Sequence, residues 1–581
     1  MMKYIALAMM MTATAVAAQA AEVNKDEKEV NLTIVQTTDV HGNYFPYDFI
    51  NRRPSDGSMA RVATYVKALR DSLGSDNLIL LDNGDILQGQ PAVYYYNFID
   101  TVTPHLTARI LNYLGYDAET IGNHDVETGH KVYDRYRSQL SMPLLGANVI
   151  DKSTGKPYLT PYIIIERDGV KIAVLGLLTP AIPAWLPETL WDGLDFEDMV
   201  SSARRWVPEI REKHNPDLVI GLFHSGRDAA KTTGKYRENA SLLVAREVPG
   251  LDAVLFGHDH TRYDSTLENV AGETVMTLNP ANNATSVAQL DIKVKKADGK
   301  VVDKQIDGRI VDVTALEPDE AFMAEFMADN EAINAFVDRK LGTATGDFSV
   351  RDAYFGPSAF IDLIHDLQLE ISGADISFAA PLTFDAIIKE GDVTVSDMFK
   401  LYKYENMLYT MELTGREIKD YLEKSYALWT SQMSSPDDHL LLLADGDAAK
   451  GDYAKLKNPS YNFDSAAGID YTVDVTKPEG QKITILGMSD GRKFDPDAKY
   501  KVAVNSYRGN GGGDLLTKGA GIPAEELPKR IISSTDKDLR YYLIKAVEQR
   551  GTITPGVKGN WHFVPEALVA PAAERDRKIL F

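Results

Sequence analysis

The chain of 581 residues contains no cysteine. That excludes disulfides and any lipid anchor attached through a thiol, so its hydrophobic cores alone must hold the fold. Positive charge is also scarce. Lys and Arg number 62 against 84 Asp and Glu, a formal net charge of −22. Such a surface repels nucleic-acid polymers, which are bound through cationic patches that displace counterions. A small anionic substrate is compatible with it only where metal ions supply local positive charge. Long apolar runs are absent beyond the amino terminus, so no membrane span is expected in the body of the chain.

The first residues, MMKYIALAMMMTATAVAAQA, hold one lysine followed by an apolar stretch. Ala18-Gln19-Ala20 is a small-x-small cleavage site, which predicts a signal peptide over 1–20 and an exported, periplasmic or secreted, mature protein. The remaining chain is too long for one hydrophobic core, so two domains are expected. From about residue 30 to 315, short apolar runs alternate with helical segments. Leu32–Val35, Leu78–Leu81, Ile172–Gly176, Leu218–Leu222 and Ala253–Phe256 each read as a strand buried on both faces, and each is followed by polar residues and glycine. Ligands of open α/β sheets bind outside the carboxyl ends of their strands. The segment 316–341 reads as one connecting helix, opening after Pro318 and closing before Gly342. A second region, 342–557, mixes strands (Thr472–Val475, Tyr500–Asn505) with helices (Ala359–Glu370, Gly415–Ser425). The tail after Gly559 carries no pattern.

The chemistry-bearing residues sit where the strands end. Asp39-Val40-His41 puts a carboxylate and an imidazole on one side of an extended segment. Asn83-Gly84-Asp85 offers a carboxylate with a glycine allowing close approach. Gly122-Asn123-His124-Asp125 places an amide oxygen beside an imidazole. His224 in Phe223-His224-Ser225-Gly226, and His258 and His260 in Gly257-His258-Asp259-His260, add three more imidazoles. Taken singly, each motif has an ordinary reading as a turn or a core histidine. Five in one order, each after an apolar strand, are not explained by packing or turn chemistry. Mixed imidazole, carboxylate and amide donors suit Zn²⁺, Mn²⁺ or Fe.

This order resembles that of the calcineurin-like metallophosphatases, and within them the exported 5′-nucleotidase group, over nearly the whole mature chain. The resemblance implies a two-domain α/β (α+β) protein, with a metallophosphatase β-sandwich flanked by helices and a C-terminal α+β nucleotide-binding domain. It implies two divalent metal ions, one held by Asp39, His41, Asp85 and His260 and the other by Asp85, Asn123, His224 and His258. Paired metals activate a water at neutral pH and clamp the phosphoryl oxygens during in-line displacement. His124 is implied to stabilise the transition state or protonate the leaving oxygen. Many relatives pair this histidine with an Asp three residues on, where this chain has the longer Glu127. Asp125 stands where relatives often have Glu and is given no catalytic role.

The resemblance implies that the second region sets the substrate, a small nucleotide. By the same resemblance, Tyr404 in Leu401-Tyr402-Lys403-Tyr404-Glu405-Asn406 and Tyr507 before Gly509–Gly513 are the two aromatic residues that stack on the base. The 5′-nucleotidase and UDP-sugar hydrolase branch carries N-G-G-G-I-R after its A-D-I strand. Here Ala374-Asp375-Ile376-Ser377-Phe378 runs into Ala379-Ala380-Pro381, without the glycines or the arginine, and an arginine fork is hard to replace in bidentate phosphate binding. The A-A-P stretch, L-Y-x-Y-x-N and Tyr461-Asn462-Phe463-Asp464 with Gly468 and Tyr471-x-Val-Asp474 resemble instead the periplasmic 2′,3′-cyclic-nucleotide 2′-phosphodiesterase/3′-nucleotidases. A 5′-nucleotidase/UDP-sugar hydrolase is the near alternative. An inactive nucleotide-binding surface protein is the remote one, and the complete ligand set speaks against it. Arg351 and Arg508 are further candidates for substrate contact. Base preference and oligomeric state have no signal in the sequence.

Overall fold

The computed structural model describes residues 27–227, 232–233, 235–444 and 455–581. The expected signal peptide lies outside the described residues. Among those described, no helix is long and apolar enough to cross a membrane.

The first half is a sandwich of two six-stranded mixed sheets. One runs Lys300–Asp312, Ser286–Ala297, Lys28–Thr37, Leu78–Asp82, Ala118–Thr120, Leu144–Leu145 in spatial order. The other runs Tyr263–Glu268, Thr274–Asn279, Ala253–Phe256, Leu218–His224, Val170–Leu178, Tyr162–Arg167. Four adjacent strands of each are parallel; in the first sheet they run out to the edge strand Leu144–Leu145 with two antiparallel strands on the other side, and in the second an antiparallel strand closes each edge. The period of two along each strand distributes its residues. Leu32, Ile34, Ile79 and Leu81 meet Ile172, Val174, Ile220 and Leu222 between the sheets. The alternate residues Ala173, Leu175, Val219 and Phe223 face the helices Met199–His214 and Ser241–Glu247 through Val200, Val207 and Val244. Both faces are thus covered, which is why these runs are apolar throughout; each fully buried aliphatic side chain contributes about 1.5–3 kcal/mol. Two buried hydrogen bonds tie the carboxyl ends of the sheets together, Asn83 Nδ2 to the Phe223 carbonyl (2.8 Å) and Thr120 Oγ1 to the Leu222 carbonyl (3.0 Å).

The connecting segment differs from the single helix expected. It forms two helices, Glu320–Glu325 and Met327–Asp338, that meet at Phe326 with φ −103° and ψ 17°. Two sets of contacts require the change of axis. Phe322 and Phe326 pack edge-on against Tyr113, while Phe336 ten residues on stacks with Tyr94. Asp329, buried on the second helix, accepts both forks of the Arg109 guanidinium at 2.6 and 3.0 Å. That pair docks the connector on the first half.

The second half holds a five-stranded sheet, Ser465–Ala467, Ile376–Ala379, Lys499–Asn505, Met407–Thr414, Ile531–Asp538, and a three-stranded one, Ile483–Met488, Ile469–Asp474, Trp561–Val564. The helix Gly415–Trp429 starts at a capping box, Thr414 Oγ1 accepting from Glu417 N and Glu417 accepting from Thr414 N. It buries Tyr421, Tyr426 and Trp429, and Trp429 stacks on Phe463. The tail that carries no sequence pattern forms the helix Glu566–Leu580, whose Val569, Ala572 and Leu580 enter this same core. A further apolar cluster runs from the helices of the first half through Phe336 to Phe399 and Leu382 of the second.

Asp329→Ala would leave the Arg109 fork without its acceptors. A loss of about 1.5–3 kcal/mol is expected, read as a lower urea midpoint; an unchanged midpoint would show that the pair does not hold the connector.

Candidate metal centre and substrate cleft

The parallel strands of both sheets end at one edge, and the loops that leave them interlock. Asp39 N donates to the Gly84 carbonyl (2.9 Å) and His41 N to the Asp85 carbonyl (3.0 Å), continuing the pairing of their strands into the loops. The Asp125 carboxylate then gathers four backbone N–H groups: Gly122 (2.7 Å), Asp85 (2.9 Å), Ile86 (2.9 Å) and Leu87 (2.8 Å). Glycine is required where the two loops touch. A Cβ on Gly84, at φ +78°, would overlap the Gly122 backbone, and one on Gly122 would overlap Asp85. Five site residues that are not glycine also take left-handed backbone: Asp39, His41 and His260 near φ +50°, Asp85 at +54°, His258 at +74°. Each such residue costs roughly 1–3 kcal/mol, which the packed loops and buried hydrogen bonds around them offset.

This backbone turns ligand-type atoms inward in two groups. Asp39, His41 and His260 form one, and Asp85, His224 and His258 the other; within each, the candidate ligand atoms lie within 4.8 Å of one another. Asn123 joins the second group, its Oδ1 being 3.1 Å from His224 Nε2. All seven positions singled out in the sequence are therefore brought together. Asp85 stands with the second group, and its peptide is tied to His41 of the first.

The donor chemistry fits a cation. His41 Nδ1 is 3.0 Å from the Gln88 carbonyl and His224 Nδ1 is 2.5 Å from that of Asn83. Those bonds are made through Nδ1, so that in the neutral imidazole Nε2 carries the lone pair, the usual second-layer support of a metal-binding histidine. The freed His41 Nε2 faces His260 Nε2 at 3.0 Å, and His224 Nε2 faces Asp85 Oδ2 at 3.1 Å as well as Asn123. Asp39 Oδ2 accepts from Thr38 Oγ1 (2.6 Å) and His258 N (2.9 Å), while Oδ1, fully buried 3.2 Å from His260 Nε2, has no hydrogen-bond donor. Acceptors converge here with too few protons between them. The electrostatics agree. Burial acts to lower the pKa of His224, but the neighbouring Asp85 carboxylate overcomes it and raises the value to about 10. Burial, reinforced by His260, lowers that of His41 to about 3. Asp85 therefore draws positive charge to its side of the cluster, while the His41 ring is held neutral.

His124 follows Asn123 on the short helix Asn123–Glu127, and its backbone N–H is bonded to Asp85 Oδ1 at 2.7 Å. Its Nδ1 lies 2.5 Å from Glu127 Oε2, so the longer carboxylate reaches the imidazole, and a quarter of its side chain (27%) remains open to the cleft. Burial lowers its pKa; Asp85 and Glu127 together outweigh that and raise it to about 9.

Tyr404 follows the helix Val395–Leu401, and Tyr507 lies in the single turn Ser506–Gly509 after the strand Lys499–Asn505. Both are half-buried and line one cavity of about 1250 Å³ together with Asn123, His124, Glu127 and His258. That is ample for a nucleotide, since small-molecule sites commonly enclose about 300–1,000 Å³. The two arginine candidates are engaged elsewhere. Arg351 forms a bidentate pair with Asp385 on the surface (both bonds 2.6 Å). Arg508 is 1% exposed and binds Asp464, Asn462, the Tyr461 carbonyl (2.7 Å) and the Gly512 carbonyl (2.6 Å). It braces the walls of the cleft.

Sequence reasoning missed three residues of this site. Asp125 was visible in its motif, but three of its four backbone partners are 38–40 positions away. Glu238, whose Oε1 lies 3.2 Å from His258 Nε2, sits in a loop with no pattern that would mark it. Tyr461 was noticed only as part of a motif, without a place in the cleft.

Comparison with known proteins agrees with this geometry. Residues 32–262 match the calcineurin-like phosphoesterase family, and residues 340–518 match the 5′-nucleotidase C-terminal domain. The chain belongs to the two-domain metallophosphoesterases that join these units, a family that works with divalent metals. It is 28% identical to the trifunctional nucleotide phosphoesterase protein YfkN of Bacillus subtilis, a match covering 92% of this chain and 39% of that longer protein. It is 27% identical to the 2′,3′-cyclic-nucleotide 2′-phosphodiesterase/3′-nucleotidase of Haemophilus influenzae, over 93% of this chain and 88% of the relative. A solved chain from Staphylococcus aureus shares the fold with a TM-score of 0.75 at 20% identity, over 92% of this chain and 99% of that one.

In Asp125→Asn, the amide nitrogen would face two of the four N–H groups that the carboxylate now accepts. Metal affinity is expected to fall by about 10–100-fold although residue 125 touches no metal; metal retained to the same extent as wild type on dialysis against a weak chelator would refute this.

Proposed function

We propose that the chain is an exported hydrolase that opens 2′,3′-cyclic nucleotides to 3′-nucleotides and then converts these to nucleosides and phosphate. The observation that carries the reading is that one cavity is lined both by residues of the candidate metal cluster and by Tyr404 and Tyr507. The similarity to the Haemophilus influenzae enzyme over most of both chains supports it. So does the strand end at Ala379-Ala380-Pro381, where the 5′-nucleotidase branch would carry its phosphate-binding arginine.

Two divalent ions complete the site in this reading. Asp39, His41 and His260 would hold one, Asn123, His224 and His258 the other, with Asp85 available to both; the mixed nitrogen and oxygen donors suit Zn²⁺, Mn²⁺ or Fe. Such a pair supplies Lewis-acid charge neutralisation on the phosphoryl oxygens and an activated water. The chain supplies position and protons. Tyr404 and Tyr507 hold the base, each stacking contact being worth about 1–3 kcal/mol with little base preference. Glu127 holds His124 Nδ1, which turns Nε2 toward the cleft. With Glu127 beside it favouring the imidazolium, His124 donates to the ribose oxygen that leaves phosphorus, first the 2′ and then the 3′. The lead segment 1–20 supports export, which a fractionation of the expressing cells tests.

Rates on 2′,3′-cyclic AMP, 3′-AMP and 5′-AMP decide the substrate. The first two are expected to be hydrolysed and 5′-AMP to be poor; preference for 5′-AMP would transfer the chain to the other branch. Chelation should abolish turnover, and added Mn²⁺ or Zn²⁺ should restore it. Asp85→Asn is expected to lose both metals together. His124→Ala should keep its metal and lose about 10²–10⁴-fold in kcat; loss of metal in that variant would make residue 124 a ligand.

A further inference from the structure

Tyr461 and Asn462 line the cleft, and neither the metal chemistry nor the two stacking residues account for them. Tyr461 is half-buried and lines the same cavity as Tyr404 and Tyr507. Its ring meets both of theirs edge-on. The centroid of Tyr404 lies 6.4 Å away at an interplanar angle of 86°, and that of Tyr507 6.4 Å away at 90°. Both separations and angles are those of favourable T-shaped pairs. The two stacking rings thus stand perpendicular to a third that touches each of them.

The loops behind these rings are anchored separately. Arg508, next to Tyr507, fixes that side of the cleft to the Tyr461 and Gly512 carbonyls and to the Asp464 carboxylate. The Tyr404 loop hangs on a different guanidinium. Arg540, fully buried, donates to the carbonyls of Tyr402 (3.0 Å) and Lys403 (2.5 Å) and lies 4.0 Å over the ring of Phe399. One wall is therefore built with Tyr461 and the other apart from it. The Tyr461 ring is where they meet.

We infer that Tyr461 is a third wall of the base site and the spacer that holds the faces of Tyr404 and Tyr507 apart. This rests on the nucleotide reading above and adds a specificity-determining residue to it. Removing the ring leaves the two faces without a common contact and takes an aromatic wall from the base. Removing only the hydroxyl leaves the ring contacts intact.

The test measures binding of adenosine and of inorganic phosphate to the metal-loaded full chain, in wild type, Tyr461→Phe and Tyr461→Ala. Adenosine reports the base site and phosphate the metal centre. Tyr461→Ala is expected to weaken adenosine about fivefold or more, the scale of losing aromatic edge contacts, while phosphate affinity changes less than about twofold. Tyr461→Phe is expected to bind both as wild type does, which also guards against a folding defect being mistaken for a lost wall. Unchanged adenosine affinity in Tyr461→Ala, or an equal loss for adenosine and phosphate, would overturn the inference. Wild type that binds phosphate but no adenosine would instead overturn the nucleotide reading itself.

Discussion

The catalytic edge of this protein depends on one carboxylate that is not part of the reaction. Asp125 accepts four backbone N–H groups from two loops, and through them it sets where Asp85 stands. Asp85 in turn receives the His124 amide and faces His224. The candidate ligands, the proposed proton donor and the second sheet are therefore all referred to one buried anion. Hydrogen bonds to an ionised acceptor are the stronger kind, and four of them make a loop that would otherwise wander into a fixed platform.

Around that platform the fold separates two tasks. The sandwich carries the charge-drawing cluster at its strand ends. The second half carries aromatic surface on loops braced by buried arginines. The connector, pinned by Asp329 and Arg109, and the apolar cluster continuing to Phe399 bring these surfaces to the two sides of one cavity. Direct hydrogen bonds also cross between the halves: Asn510 Nδ2 to the Trp185 carbonyl, Tyr94 to Asp538, and Arg52 to Ser396. With no cysteine to fasten them, the halves are held by packing and by polar contacts such as these.

Much of this was legible in the sequence. The strands were, because burial on both faces forces short apolar runs, and so were the candidate ligand positions that the fold brings together, because metal chemistry admits few residue types and the sheet presents them in chain order. The tyrosines at 404 and 507 were legible only through likeness to a family, since nothing local distinguishes them among 28 tyrosines. What escaped was set by distant partners. The bend at Phe326 follows from two sets of aromatic contacts that no helical period encodes. Arg508, chemically apt for phosphate, is instead enclosed by Asp464 and backbone carbonyls, which only the folded chain reveals. The last helix was invisible because its apolar residues are few and its packing partners, such as Trp429, lie far back in the chain.

The left-handed backbone at Asp39, His41, Asp85, His258 and His260 limits how this site can drift under mutation. Asp, Asn and His tolerate that conformation better than other side chains, and glycine adopts it freely. Valine, isoleucine or threonine there would be penalised by the main chain before any metal was lost. The routes out of activity that keep the protein folded therefore pass through asparagine and glycine. A decayed descendant would still read like a metal protein at most of these positions, and the count of intact carboxylates would reveal the loss sooner than any change in shape.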